Sequence, residues 1–135
     1  MEQTLADTDL SGINVLIVED DSFSQTLMRA LLGKLGIGAI TAADNGVAAL
    51  ARLQDSAADF DLIISDIEMP EMDGHALIAQ IRSGAVPKYK DVPIVVISGK
   101  ETEDSIAGQD YGVEGFIAKP ATAANLSTAL NAALG

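Results

Sequence analysis

Acids, a hydroxyl and a lysine follow four separate apolar segments of this chain, and side chains of these types can handle a phosphoryl group. They are Glu19, Asp20 and Asp21 after the first segment, Asp66 after the second, Ser98 at the end of the third, and Lys119 after the fourth. Carboxylates are ligands that Mg²⁺ prefers, and a carboxylate can also be the nucleophile that forms an aspartyl phosphate. A hydroxyl can donate a hydrogen bond to a phosphoryl oxygen, and an ammonium group can pair with its charge. The sequence therefore predicts phosphoryl chemistry with Mg²⁺, provided that the fold brings these residues together.

Each of these residues, taken alone, also has an ordinary structural role. Acids after a strand often begin a helix, where they complement the helix dipole, and Asp20 and Asp21 fit that role. Asp66 taken alone is typical of a loop carboxylate, Ser98 of a turn, and Lys119 of a solvated surface lysine. The joint pattern favours chemistry because four independent features occur in order, each at the same end of its segment.

The apolar segments that precede these residues have the composition of buried strands. Three are short and rich in β-branched residues, which is typical of strands covered on both faces of a parallel sheet: 13–18, 62–65 and 94–97. Weaker strands are predicted over 39–41 and 115–118. The carboxyl ends of parallel strands share one edge of a sheet, and ligands of such folds bind beyond that edge.

Helical patterns alternate with the strands. Four segments carry apolar residues at helical spacing: 22–35, 45–53, 74–82 and 122–134. A fifth segment, 101–111, is predicted as a weak helix because it contains Ser105 and Gly108. Five helices alternating with five strands predict an α/β fold with a doubly wound parallel sheet.

Composition narrows the class of protein. The 135 residues suffice for one domain, and we expect residues 1–12 to form a flexible leader before a domain at 13–135. The formal net charge of −12 argues against binding to nucleic acid, and the absence of cysteine excludes disulfides and thiolate metal sites. The chain has no apolar run near the roughly 20 residues of a membrane span and no secretory leader, which predicts a cytoplasmic protein without membrane insertion.

Four motifs together resemble the receiver domains of bacterial two-component response regulators. VLIVEDD at 15–21 is similar to the family's first strand and acidic pair, and DLIISDIEMPEMDG at 61–74 closely resembles its phosphoacceptor motif. VPIVVISG at 92–99 and GVEGFIAKP at 112–120 resemble the strands that bring the family's hydroxyl and lysine. The resemblance runs from Ile13 to the end of the last helix, and it implies a flavodoxin-like fold with strand order 2-1-3-4-5.

The resemblance implies a metal site and a phosphoacceptor. Asp66 would be the phosphoacceptor. The ligands of Mg²⁺ would be Glu19, Asp20, Asp66 and the backbone carbonyl of Glu68, which leaves Asp21 just outside the set.

Other implied roles concern the phosphoryl group and the switch. Ser98 would donate a hydrogen bond to the phosphoryl group and Lys119 would pair with it, before a cis peptide bond to Pro120. Gly99 stands where a small residue such as alanine is usual. Phe116 stands where many receivers carry a switch tyrosine, and without a hydroxyl no hydrogen bond can hold it in the inward state.

The remaining implied features are a variant metal ligand and two positions that tune the reaction. Glu19 fills a slot where aspartate is commoner, which keeps a carboxylate for the metal. Glu68 and Lys100 lie two residues after Asp66 and Ser98, at positions that flank the phosphoryl group in this family. We hypothesise that Glu68 and Lys100 pair over the site and restrict the attacking water, with two independent surface charges as the alternative.

The function that the resemblance implies is a stand-alone phosphorylation switch and not an enzyme, since it would catalyse only its own phosphoryl transfer and dephosphorylation. It would accept the phosphoryl group from a histidine kinase or a histidine phosphotransfer protein, and signal to an unknown downstream protein. The output surface would combine 101–111, the strand at 115–118 and the last helix, with Ile106, Tyr111 and Phe116 as contact candidates. A monomer or weak dimer is expected.

Three other functions stay open at this point. A degenerate receiver would bind partners without phosphorylation. A small phosphohydrolase would use Asp66 as nucleophile and Glu68 as an acid, although 135 residues leave no room for a cap domain. A flavodoxin-type cofactor binder would need a phosphate-cradling loop after the first strand, where the acids at 19–21 repel phosphate unless a metal intervenes.

Overall fold

The computed structural model describes residues 10–55, 57, 59–69, 72–99 and 112–134. Its strands are β1 (Asn14–Val18), β2 (Ala39–Ala43), β3 (Leu62–Asp66), β4 (Ile94–Ser98) and β5 (Gly115–Ala118). All five pair in parallel in one sheet, in the order β2-β1-β3-β4-β5 that the family resemblance implied. Strand β2 is longer than predicted because Ala42 and Ala43 also pair with the end of β1.

Four α-helices accompany the sheet within the described residues. They are α1 (Ser22–Lys34), α2 (Gly46–Gln54), α3 (Gly74–Arg82) and α4 (Ala123–Leu134), and a short 3₁₀ turn, Pro87–Tyr89, precedes β4. Five helices were predicted, and the described chain has four. The fifth was predicted over 101–111, which lies outside the described residues.

The helices begin at capping residues. Each of the first three follows an N-cap residue whose side chain accepts a hydrogen bond from the backbone N–H three positions later: Asp21, Asn45 and Asp73. Before α4, Thr122 and Asn125 cap each other. The Asn125 N–H donates to Thr122 Oγ1 at 3.1 Å, and the Thr122 N–H donates to Asn125 Oδ1 at 2.7 Å. These caps satisfy N–H groups that the first helical turn leaves without a partner.

Two apolar layers cover the two faces of the sheet. Along β1, Val15 and Ile17 pack into one layer, whose helical residues include Met28 and Leu32 of α1 and Leu126 and Leu130 of α4. The alternate residues Leu16 and Val18 pack into the other layer, with Ala49 and Leu53 of α2 and Leu77 and Ile81 of α3. Burying one such side chain contributes about 1.5–3 kcal/mol, so the layers hold the strand ends firmly in place.

The chain before β1 also contributes to the core. Leu10 is 2% exposed, and its carbonyl accepts hydrogen bonds from the N–H groups of Ile13 and Gly38 at 3.0 and 3.1 Å. The packed part of the described chain therefore includes Leu10. Among the described residues, no helix combines the length and apolar character needed to cross a bilayer.

Candidate functional site

The carboxyl edge of the sheet brings the predicted site residues together. Asp66 is the last residue of β3 and Ser98 the last of β4, and the register places Asp66 opposite Ile97. Glu19 follows β1 directly, and Lys119 follows β5 directly. Because the strands are parallel, these side chains lie on one edge, as the sequence predicted.

Lys119 joins two buried acids at the centre of this edge. Its Nζ atom lies 2.9 Å from Oδ2 of Asp66 and 3.4 Å from Oε1 of Glu19. Asp66 is 1% exposed and Glu19 is 2% exposed, whereas the Lys119 side chain is 29% exposed. One ammonium group therefore neutralises only part of the charge of two carboxylates that water hardly reaches.

The unequal charge shows in the pKa of Glu19. Burial raises the pKa of the Glu19 carboxyl from 4.5 to about 7. The nearby Asp66 adds to this rise, while the Asp21 N–H and Lys119 oppose it. Burial alone would lower the pKa of Lys119, but its contacts with Asp66 and Glu19 outweigh burial and raise that pKa above its usual value. Among the described residues, the edge is thus short of positive charge, as a cation-binding site would be.

A third acid completes a set that suits a divalent cation. Carboxylate oxygens of Glu19, Asp20 and Asp66 all lie within 4.8 Å of one another, and Asp20 is exposed where the other two are buried. Three hard oxygen donors with one open side match the preference of Mg²⁺, which keeps several waters or phosphate oxygens in its shell.

Asp21 has a different task from the two acids before it. Its Oδ2 atom accepts hydrogen bonds from the backbone N–H and the hydroxyl of Ser24 at 2.9 and 2.8 Å, which makes it the N-cap of α1. These bonds lower its pKa. Its own N–H donates to Oε2 of Glu19 at 3.1 Å and so orients that carboxylate. The helix-start role considered for both aspartates belongs to Asp21.

The Glu68 side chain bridges from the β3 end to the β4 end. Its Oε2 atom accepts a hydrogen bond from the Ser98 hydroxyl at 2.8 Å, and Oε1 accepts from the Gly99 N–H at 3.3 Å. The Glu68 N–H in turn donates to Oδ1 of Asp66 at 3.3 Å. The hypothesised partner Lys100 lies outside the described residues.

The remaining predicted positions surround the same edge. The Lys119–Pro120 peptide bond is cis, as the family resemblance implied. A Cβ atom on Gly99 would lie 3.7 Å from Cβ and Cδ of Lys119, an ordinary contact distance that leaves room for alanine. Phe116 lies in β5 and is half-buried against the layer that contains α3.

Sequence reasoning missed two residues that position the site. Gln25 of α1 donates from Nε2 to the Glu19 carbonyl at 2.6 Å and to Oδ1 of Asp44 at 2.8 Å. Nothing in its spacing signals this role. Gly74 begins α3 directly against the end of β3, since a Cβ atom there would overlap the Asp66 carbonyl and lie 2.8 Å from Cα of Ile67. An Asp-Gly pair at a helix start was the available signal for this close approach.

An apolar cavity of about 260 Å³ opens beside the acids. It lies between α1 and the chain after β5, and its walls include Phe23, Leu27, Ile97 and Pro120 next to Glu19. Phe23 is 74% exposed, the largest exposure among the big apolar side chains of the described chain.

Comparison with known proteins places this site in a family. A sequence profile of the response regulator receiver domain matches residues 15–131. The chain is 36% identical over 121 residues to chemotaxis protein CheY-3 of Vibrio cholerae serotype O1, which covers 89% of this chain and 90% of that protein. It is 31% identical over 128 residues to the sensor histidine kinase CheAY of Helicobacter pylori, which covers 94% of this chain and 16% of that protein.

Solved structures that resemble this fold come from the same family as the sequence relatives. The crystal structure of chemotaxis protein CheY4 of Vibrio cholerae superposes with a TM-score of 0.78 at 29% identity, over 90% of this chain and 98% of that one. The fold and the edge of acids, hydroxyl and lysine define a signalling switch of the two-component type. The chain belongs to the response regulator receiver domain family, and it is homologous to response regulators of the CheY type.

Proposed function

We propose that Asp66 is the phosphoacceptor of this receiver, and that it takes its phosphoryl group from a phosphohistidine of a histidine kinase or a histidine phosphotransfer protein. The observation that carries the proposal is the 2.9 Å contact between Lys119 Nζ and Asp66 Oδ2, at a carboxylate that is 1% exposed and close to two further acids. A buried nucleophile with a fixed cation beside it is arranged for phosphoryl transfer by position and electrostatics.

The transfer needs no base to activate the nucleophile. An Asp66 carboxylate oxygen attacks phosphorus, a new P–O bond forms, and the bond from phosphorus to the donor nitrogen breaks. The electron pair of that bond stays on the donor nitrogen, and the ring leaves as neutral imidazole when its other nitrogen carries a proton. Lys119 stabilises the charge on the transferred oxygens, and Ser98 is proposed to donate a hydrogen bond to one of them.

Mg²⁺ is proposed to be held by Glu19, Asp20 and Asp66, together with the backbone carbonyl of Glu68. When bound, the ion supplies charge neutralisation for the phosphoryl oxygens. Glu19 and Asp66 are positioned for it by the N–H of Asp21 and by Lys119, which hold one oxygen of each acid at 3.1 and 2.9 Å.

The signal is proposed to leave through the surface around β5. That surface would comprise β5 with Phe116 and α4, together with 101–111, which lies outside the described residues. Its partner would be an unknown downstream protein. A cytoplasmic location and a monomeric or weakly dimeric state belong to the same proposal. Without a hydroxyl on Phe116, the ring's inward position would rest on packing alone.

Intact mass measured after incubation with acetyl phosphate and Mg²⁺ tests the proposal. One added phosphoryl group is expected on the unaltered chain, together with none on Asp66→Asn and none when EDTA replaces Mg²⁺. A chain that gains no mass and binds no Mg²⁺ would instead act as a degenerate receiver. Turnover of many phosphate esters per chain would indicate the phosphohydrolase.

A further inference from the structure

We propose that the Glu68 carboxylate is a built-in competitor of the phosphoryl group, because it occupies the hydrogen-bond donors that a phosphorylated Asp66 would use. This inference rests on the proposed function and deepens it. The Glu68 side chain then sets how readily the receiver accepts a phosphoryl group, while its backbone carbonyl remains a proposed Mg²⁺ ligand.

The competition follows from which donors lie near Asp66. A phosphoryl group on this side chain adds three strong acceptor oxygens that share its negative charge, and each gains from a donor at the carboxyl edge. The donors provided by β4 and the residue after it are the Ser98 hydroxyl and the Gly99 N–H. Both donate to Glu68, at 2.8 Å to Oε2 and 3.3 Å to Oε1.

The position of Glu68 next to the nucleophile is fixed by its own backbone. Its N–H donates to Oδ1 of Asp66 at 3.3 Å, so the residue that carries the competing carboxylate contacts the nucleophile itself. From there its side chain reaches the hydroxyl of Ser98, a residue 30 positions later in the sequence. Its carboxylate thus stands between the β3 end and the β4 end, where an anion attached to Asp66 would have to fit.

Two anions cannot share the same donors at close range. A phosphoryl group that engages Ser98 and Gly99 must displace the Glu68 carboxylate, which loses two hydrogen bonds and is repelled by the incoming charge. In the unphosphorylated chain, the Ser98 hydroxyl and the Gly99 N–H are therefore already hydrogen-bonded to Glu68. This would disfavour transfer from small donors and release the Glu68 side chain once Asp66 is modified.

The test compares single-turnover phosphorylation of the unaltered chain, Glu68→Gln and Glu68→Ala by acetyl phosphate with Mg²⁺. We expect both variants to react faster, Glu68→Ala by roughly five- to twentyfold, since it removes both the charge and the acceptor. Asp59→Asn is the matched charge control. It removes one negative charge from an exposed ion pair with Lys88, and should react at the unaltered rate.

Repeating the Glu68→Ala comparison in a chain that already carries Ser98→Ala distinguishes competition for Ser98 from simple charge repulsion. In a Ser98→Ala chain the contact is already lost, so adding Glu68→Ala should change the rate less than twofold. Equal acceleration in both backgrounds would mean long-range repulsion and would overturn the inference, as would variants that react at the unaltered rate.

A readout without phosphorylation completes the design. Amide hydrogen exchange at Gly99 should be faster in Glu68→Ala than in the unaltered chain, because its N–H loses an acceptor. Unchanged exchange would overturn the inference. If neither the unaltered chain nor any variant gains a phosphoryl group or binds Mg²⁺ with beryllium trifluoride, the proposed function fails and the inference fails with it. If the unaltered chain and the Glu68 variants are phosphorylated at the same rate, the inference alone fails.

Discussion

Lys119 and Asp66, which are 53 positions apart in sequence, meet at the carboxyl edge of the sheet with 2.9 Å between Nζ and Oδ2. The contact links the chain after β5 to the end of the central strand β3. It also places the ammonium group of Lys119 against two buried acids, so the stability and the chemistry of this edge depend on the same ion pair.

Replacing Lys119 with methionine should destabilise the chain in a way that Mg²⁺ reverses. Asp66 and Glu19 would lose their cation while remaining buried, at a cost of about 1–3 kcal/mol, less than for a fully buried pair because Lys119 is partly exposed. Urea unfolding with and without Mg²⁺ measures this, and added Mg²⁺ should recover a larger free energy of unfolding in the variant than in the unaltered chain.

Lys88→Met provides the control for that experiment. Lys88 pairs with Asp59 at 3.4 Å, and both side chains are largely exposed, so its loss should change the free energy of unfolding by less than about 1 kcal/mol. The same Mg²⁺ response in both variants would show that the ion does not act at the edge of acids.

The stability of the metal-free chain should fall as pH rises towards neutrality. The folded pKa of Glu19, about 7, lies above its ordinary value of 4.5. The proton on Glu19 therefore stabilises the fold fully below pH 4.5, and this contribution is lost as pH rises through 7. The loss should be on the order of 2–3 kcal/mol, measured by urea unfolding at several pH values.

Glu19→Gln identifies the group behind this dependence. Glutamine cannot titrate, so the variant's free energy of unfolding should vary much less between pH 4.5 and 7. The affinity of the unaltered chain for Mg²⁺ should weaken below pH 7 for the same reason, since a proton and the ion compete for one carboxylate. A slope that persists unchanged in Glu19→Gln would assign the titration to another residue.

Alanine at Gly74 should disturb both the fold and the nucleophile. The added Cβ would overlap the Asp66 carbonyl and lie 2.8 Å from Cα of Ile67, so α3 must shift away from the end of β3. We expect a loss of about 1–3 kcal/mol and slower phosphorylation of Asp66. In contrast, Gly33→Ala in α1 meets open space and should stabilise by about 0.5–1 kcal/mol. Thermal unfolding of the two variants makes the comparison.

The sequence was sufficient to predict the sheet and its reactive edge, because both depend on local patterns. Apolar segments of β-branched residues locate β1, β3 and β4, and a parallel sheet then places whatever follows each strand on one edge. Asp66, Ser98 and Lys119 could be assigned to that edge from the sequence alone. The strand order came from the family resemblance and not from the patterns themselves.

Contacts that depend on side-chain direction were beyond the sequence. The acceptor for the Ser98 hydroxyl comes from Glu68, 30 positions away, and no spacing rule selects that partner. Gln25, in the first turn of α1, donates back to the Glu19 carbonyl six positions earlier, and no sequence pattern marks that bond. Which of Asp20 and Asp21 caps the helix also needed the structure, since either residue type and spacing would serve.

Neutralising Asp20 and Asp21 in turn should separate metal binding from helix capping. Asp20 is exposed and contributes an oxygen to the set of three acids, so Asp20→Asn should weaken Mg²⁺ binding more than tenfold with little effect on unfolding. Asp21→Ala removes the two hydrogen bonds to Ser24 and should lower the free energy of unfolding by about 1 kcal/mol while changing Mg²⁺ affinity only modestly. Calorimetric titration with Mg²⁺ and urea unfolding of both variants give the two quantities. If Asp21→Ala abolished Mg²⁺ binding as Asp20→Asn does, the acidic pair would be Asp20 and Asp21, and Glu19 would be a buried structural acid.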